Sequence, residues 1–592
     1  MTSKKNTKNR FLTGAAAFAL LAGASMGCYI ENFNDGDPGP VTLLGSAAIS
    51  ASTMQLATRT PAQSGALVWA PPSTVDRFNA DFDLIIDTDG AIFGARMTFV
   101  LGDIAAPVSH PSTVSSGLVV DIEIGNIGGG TATYVLASVW LDGVEILPQP
   151  GLGVNITTAS YVSDVPVSIT LDESGLLTVV VDGFTLIANY AAGFTPSGSE
   201  TIGISGTGAF INIDDVNLHT NPASITNVTT ATPYPALASA IGAATPGDVI
   251  ELGAGNVCEW DTVVNKSLTI RGQGMDETTI DCNRLGRGFS LQSGTVSIED
   301  LTITNGFKNT GAGVDLPSGC IASISRVRFL NNESTLYGGA VRRAGSAQPS
   351  LPMLVDRCEF INNIGTVAGG ALSIGPAQGI NLITGCHFDG NSSNDGVATY
   401  ILSESGEGIT TDFVNCTFVN HVPTVNVRLI RSVNAINETT MTNCLFADNA
   451  ANSIAGTNGG SVALSHCLFQ PDMAIGGTVD LGGNITATPT FVDAVGGNYQ
   501  LDAGSAGIDA GNADAYIALD GMLLDLAGQI RFANDPGTPD TGAGLATYLD
   551  MGAFEFQGTT PSTPCAGDVN GDNIVDLADL NLLLFNFGND CN

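Results

Sequence analysis

LTITNG at residues 301–306, VRFLNN at 327–332, CEFINN at 358–363, CHFDGN at 386–391, CTFVNH at 416–421 and CLFADN at 444–449 are six versions of one pattern. Each has a large apolar anchor in a short alternating stretch and ends on Asn or a substitute. The anchors are Ile303, Phe329, Phe360, Phe388, Phe418 and Phe446, separated by 26, 31, 28, 30 and 28 residues, with Phe469 a further 23 along. A unit this long holds several short strands and polar turns but cannot bury its own apolar side chains. Stacking units bury them, so the pattern predicts one coil of a right-handed parallel β-helix per repeat, with the anchors as an interior ladder. The period is too short for propeller blades, and no 3.6-residue periodicity supports a helical solenoid.

The same logic places other residues. Cys358, Cys386, Cys416, Cys444 and Cys467 each stand two before an anchor, which predicts a second interior ladder of unpaired thiols acting as small hydrophobes. The Asn after each anchor belongs at a turn, where its amide can pair with backbone or with the next Asn, and where it tolerates a left-handed backbone. Alternation puts Phe388 inside and its neighbour Asp389 outside. Glu299 and Asp300, being adjacent, should point to opposite faces.

Gly338-Gly339-Ala340-Val341 and Gly369-Gly370-Ala371-Leu372, taken with Phe-x-x-Asn, resemble the repeats of chlamydial polymorphic outer-membrane proteins and of planctomycete-type pectin-lyase-like β-helices. LTIRGQGMDETTIDC (268–282) is similar to the opening coil of pectin-lyase-like proteins. The resemblance implies an adhesive or scaffold solenoid over 221–484. TPTFVDAVGGNYQLDAGSAGIDAGN (488–512) and LDMGAFEFQ (549–557) resemble the choice-of-anchor region that closes many such helices, which implies a cap over 485–560 hiding the last coil's open edge.

Residues 41–220 alternate apolar and polar residues in runs broken by Gly, Asp and Asn, the texture of a β-sandwich. FNADFDLIIDTDGAIFGARMTFVL (78–101) resembles the long paired strands of concanavalin-like (L-type) lectins, and VPVSITLDESGLLTVVVDGFTLI (165–187) that family's hairpin. FINIDDVNL (210–218) is similar to its closing strand. The resemblance implies a jelly roll and glycan binding through Asp, Gly and Asn on loops beside calcium, without assigning those roles to particular residues here.

The 592-residue chain carries 57 acidic and 20 basic side chains, a net charge of −37. Residues 1–27 read as a secretory signal: Lys4, Lys5, Lys8 and Arg10 precede an apolar run too short for a membrane span. Its loss takes the net charge to about −41, which excludes nucleic acid and anionic lipid as partners and favours divalent cations. Cys28 after Ser25-Met26-Gly27 resembles a lipoprotein cleavage site, with Ser25 where Leu is usual; ordinary cleavage after Ala24 or Gly27 is the alternative. The destination is outside the cell or its surface, with a membrane contact only through lipid on Cys28. Residues 28–40 read as a linker.

In the tail (561–592), Asp568, Asn570, Asp572, Asp576 and Asp579 fall at positions one, three, five, nine and twelve of a loop, with the Ile574 carbonyl at seven. That spacing wraps oxygen ligands around one hard cation, Ca²⁺. Leu580, Leu583, Leu584 and Phe587 then form a helical stripe ending at Gly588. The segment resembles a single type I dockerin repeat; a full dockerin has two, so the resemblance implies an anchoring module and a protein partner more than a cohesin site. Cys258–Cys282, about one coil apart, and Cys565–Cys591, flanking the tail, are the candidate disulfides. The fold class that emerges is all-β: a jelly-roll sandwich, a right-handed parallel β-helix and a short EF-hand-like calcium loop with a helix.

No catalytic residue can be assigned. The Asp pairs, Gly-His-Gly and Arg-x-Lys of polygalacturonases and the calcium cluster of pectate lyases are not recognisable. His387 and His466, beside ladder cysteines, read as coil-surface residues; Arg326, Arg328, Arg342, Arg343, Asp356 and Arg357 read as an ion-pair ladder, with a lyase site as the alternative. The leading reading is a surface protein that binds glycan or adheres. Its rival is a polysaccharide lyase or O-glycosyl hydrolase.

Overall fold

The computed structural model describes the strands of residues 28–220 and, from 222 to 558, the chain apart from 318–319, 345–351, 376–379, 403–408, 427, 435–436 and 518–523. It is all-β, a two-sheet sandwich followed by a parallel β-solenoid of about seven turns. Each sandwich sheet has eight antiparallel strands.

The two long strands at 78–101 do not pair with each other, contrary to the sequence expectation. Phe78–Asp87 sits between Tyr161–Leu171 and Phe210–Thr220, whereas Ala95–Gly102 lies in the other sheet between Gly117–Asn126 and Thr201–Thr207. The chain crosses the sandwich between them, so Phe78 and Phe99 meet in the core with rings 5.1 Å apart. The expected hairpin is present: Val167 pairs with Val181, and Leu176–Val181 buries every second residue. The linker expected over 28–40 begins instead as a strand, Cys28–Glu31, paired antiparallel to Phe210–Thr220.

In the solenoid each Phe-x-x-Asn strand lies parallel to its counterpart one coil on. Phe360 is in register with Phe329 and Phe388, and Phe418 with Phe388 and Phe446. Ring centroids along this ladder are 4.6–5.3 Å apart with interplanar angles of 4–16°. The strand spacing of a sheet is itself the stacking distance. The five ladder cysteines are free and fully buried.

Beside the Phe ladder runs a column of amides. Asn332 Nδ2 donates to Asn363 Oδ1 (3.1 Å) and Asn363 Nδ2 to Asn391 Oδ1 (3.0 Å), while each oxygen also accepts the backbone N–H of the ladder residue before it. The turn that offers these groups is made by the preceding residue: Asn331, Asn362 and Asn420 have positive φ, as has Gly390. A second left-handed corner recurs at Asp300, Arg326, Arg357, Gly385, Asn415, Asn443 and His466. It breaks alternation, so Glu299 and Asp300 reach the same guanidinium, that of Arg326, rather than opposite faces. The GGA motif has a steric cause. Gly369 has φ +70°, and a Cβ on Gly339 would stand 2.1 Å from the Gly370 carbonyl oxygen.

Both ends of the stack are finished locally. At the start, helix Leu237–Ala243 buries Leu237, Ala240 and Ile241 on the first coil. Glu259 accepts its first N–H groups and Lys266 Nζ binds the last carbonyls, Ile241 O (3.1 Å) and Ala244 O (2.9 Å). At the far end the ladder residues turn polar: Val462 is followed in register by Thr478, Leu464 by Asp480 and Phe469 by Thr486.

In the last coil Ile475 and Leu481 stay 45% and 60% exposed, and Ile485–Thr486 pair with Leu468–Phe469 before the chain turns back as residues 487–557. They lie along the flank. Tyr499, Leu501, Ile508 and Met551 pack on Val419, Leu445 and Leu468, and Asn415 Nδ2 donates to Asp550 O (2.9 Å). Asn443 exchanges bonds of 3.0 and 2.7 Å with the Asn512 backbone. This cover corrects two expectations. Asp389 is 7% exposed and accepts from Asn420 Nδ2 (2.8 Å), so it is not a solvent residue. His387 is buried against Tyr499 and Phe554. The flank has little regular structure, and buried carboxylates satisfy its N–H groups. Asp550 accepts from Asp509 N (2.8 Å) and Phe556 N (2.6 Å), and Glu555 from Asp550 N (3.2 Å).

Candidate binding cleft on the solenoid

The six calcium ligands expected between Asp568 and Asp579, and the Cys565–Cys591 bridge, lie outside the described residues, as does the Cys28 side chain. The Cys258–Cys282 bridge is not formed. Cys258 is disulfide-bonded elsewhere and Cys282 is a free thiol. Register explains this: Val257 pairs with Ile280, so Cys258 stands level with Asp281, and Cys282, one step on, turns its side chain into the core.

The arginines singled out from sequence are not brought together. Arg326 binds Asp300 and Glu299, and Arg328 binds Asp276 and Glu359, on the large sheet. Arg342 binds Asp315 on the nine-stranded sheet. Arg343 is buried and donates to Asn381 Oδ1; burial takes its pKa down to about 10. Arg357 pairs with its neighbour Asp356 at 3.0 Å. These are ion pairs between and within coils. On the sandwich, Thr98, Asp121 and Ser138 form a cross-strand row, with Thr98 Oγ1 donating to Asp121 Oδ1 (3.2 Å), but all three are at most 2% exposed.

An open cleft of ≈ 350 Å³ occurs where the last coils meet the start of the flank. Its walls are Asp448 and Asn449 from one coil, Gln470, Pro471 and Asp472 from the next, and Thr488 and Pro489 from the returning chain. Sequence reasoning missed it because its two halves are about 40 residues apart and meet only by the return of the flank; the lone signal was the left-handed Asp448 at a coil corner. Gln470 Nε2 donates to Asp472 Oδ1 (2.6 Å) and Asn452 Nδ2 to Asp472 Oδ2 (3.3 Å), and these bonds hold the Asp472 carboxyl below its usual range.

A glycosidase needs one carboxyl kept protonated near neutral pH as general acid. The carboxyls that burial raises, such as Asp281 to about 6 and Asp509 to about 7, lie elsewhere. The cleft thus offers the Asp472 carboxylate beside two prolines.

No family model and no curated protein matches this chain. The solved structures similar to it over 33% of its length include the following three. The carbohydrate recognition domain of Emp47p aligns over 94% of its own length at 16% identity, TM-score 0.26. A lectin from Bauhinia forficata, in complex with GalNAc, aligns over 98% at 16% identity, TM-score 0.26. The exoplasmic/lumenal domain of VIP36, in a Ca²⁺/Man2-bound form, aligns over 87% at 13% identity, TM-score 0.24.

Proposed function

We propose that this chain is an exported, glycan-binding surface protein. Its parts are a signal at 1–27, a lectin-type sandwich at 41–220, a solenoid at 221–484, a flank segment at 485–560 and a calcium-loaded anchoring tail at 561–592. The observation that carries the reading is the cleft, an open volume of ≈ 350 Å³ bordered by the carboxylates of Asp448 and Asp472 and by Pro471 and Pro489. Hydroxyl groups of a sugar suit such acceptors, and proline offers an apolar wall to its C–H face. In the tail, Asp568, Asn570, Asp572, Asp576, Asp579 and the Ile574 carbonyl would hold Ca²⁺, whose binding would order the loop.

Two measurements test this. Isothermal titration of full-length protein against neutral oligosaccharides should give binding that Asp472→Asn with Asp448→Asn weakens about tenfold, with no reducing-end or unsaturated product released. Turnover, or binding indifferent to both substitutions, overturns the reading of the cleft. Calcium titration should give a heat that Asp572→Ala with Asp576→Ala abolishes; the same heat from both proteins removes the calcium tail.

A further inference from the structure

The charged residues of the solenoid are not evenly matched. On the large sheet Arg326 and Arg328 face four carboxylates, those of Asp300, Glu299, Asp276 and Glu359. Around the nine-stranded sheet the ratio reverses. Arg287 and Arg342 share Asp315, and Arg428 and Arg431 share Asp395. Arg287 also stands 4.0 Å from Asp261, which Lys308 binds at 2.7 Å. Five cations thus meet three carboxylates among the described residues, in a chain of net charge −37.

The two shared carboxylates lie beneath. The Asp315 and Asp395 side chains are 7% and 9% exposed, against 30% for Arg342 and 21% for Arg431. Register places Asp315, Arg342, Ser373, Tyr400 and Arg431 in one outward row on successive coils. Arg342 and Arg431 are therefore three coils, about 14 Å, apart along the axis. Between them Tyr337 and Tyr400 lean together over Ser373, ring centroids 6.4 Å apart, and the Arg431 guanidinium lies over the Tyr400 ring at 5.5 Å. Arg342 spends Nη1 on Thr310 and Asp315, and Arg431 spends Nε on Thr457 and Nη1 on Asp395. The Nη2 donors of both make no hydrogen bond among the described residues.

We propose that this row binds a linear anionic glycan, one bearing carboxylate or sulfate groups. Resting on the glycan-binding reading, the proposal adds a second surface and a ligand class. The free Nη2 groups would donate to anionic groups about three coils apart, with the hydroxyls and ring edges of Tyr337 and Tyr400 meeting the sugars between them. The strongly acidic remainder of the chain would repel a polyanion elsewhere, so the cationic excess would also fix where it lands.

The test is isothermal titration of the full-length protein with three probes: oligogalacturonate (carboxylate only), a sulfated galactan (sulfate only) and neutral dextran. At 50 mM NaCl at least one anionic probe should bind, weakening at least tenfold at 500 mM NaCl. Arg342→Gln with Arg431→Gln should weaken it at least tenfold, and Tyr337→Ala separately by a smaller factor, with melting temperatures unchanged. The probe that binds identifies the anion. No anionic binding at 50 mM NaCl, or binding unchanged by the arginine pair and by Tyr337→Ala, overturns the proposal. Asp472→Asn with Asp448→Asn separates the two readings: neutral binding indifferent to that pair while anionic binding falls with the arginine pair removes only the cleft, and the reverse pattern removes only this row.

Discussion

His421 stands in the amide ladder where the neighbouring coils have asparagine, its Nδ1 2.9 Å from Asn449 Oδ1. An amide oxygen only accepts, so Nδ1 carries the proton and Nε2 is left to accept from Asn391 Nδ2 at 3.4 Å. The ring is fully buried, and burial together with the repulsion of His387 takes its pKa down to about 3.

A pH dependence follows from that neutral ring. The folded state holds His421 neutral down to about pH 3, whereas the unfolded chain protonates it near pH 6.5. Its contribution is complete above pH 6.5 and is lost as pH falls from there toward 3. His421→Asn restores the ladder amide and removes this dependence. Relative to the wild type, the variant should gain about 3 kcal/mol between pH 7 and pH 4, read by urea denaturation at each pH.

Phe388→Ala opens a cavity between rings 4.6 Å away on both sides and should cost about 3–5 kcal/mol. Asp389→Ala, from sequence a surface change, removes a buried carboxylate acceptor and leaves Asn420 Nδ2 only the Tyr499 hydroxyl under the flank. A cost of about 1–3 kcal/mol is expected. Denaturant titration of both variants compares them; an Asp389→Ala cost below about 0.5 kcal/mol would place that residue in solvent.

The ladder thiols should not react in the native protein. All five are fully buried, so a thiol reagent in solvent cannot reach them. Maleimide labelling followed by peptide mapping should find them modified only after denaturation. Rapid native labelling of Cys386 or Cys416 would contradict the register.

In the flank, Arg531 and Glu555 form an ion pair at 3.7 Å with neither side chain exposed. Glu555→Ala takes the ion-pair carboxylate from a buried guanidinium that otherwise donates to Ala553 O, and frees the Ala533 and Asp550 N–H groups. It should cost about 3–5 kcal/mol of the flank's stability, seen as hydrogen exchange of 525–556 rising while the Phe ladder strands stay protected. Uniform loss of protection would mean that flank and solenoid unfold as one unit.

The sequence by itself determined the coil. A Phe ladder, a Cys ladder and an Asn turn are legible because stacking repeats the same environment once per turn, so the same residue type recurs at each level. The sandwich hairpin was legible too, through period-2 alternation between turn residues. What only tertiary structure decided lies where distant segments meet. The second left-handed corner is built on residues as unlike as Arg326, Gly385 and His466, because its backbone is held by the neighbouring coils rather than by its own propensity. Whether Asp389 and His387 face water depended on residues 487–557 lying along the flank, and no pattern near 388 encodes that cover. The cleft needs the return of Thr488 and Pro489, and the shared carboxylates Asp315 and Asp395 need the coil register. Burial and charge balance are properties of the assembled surface, so they appear only once the coils are stacked.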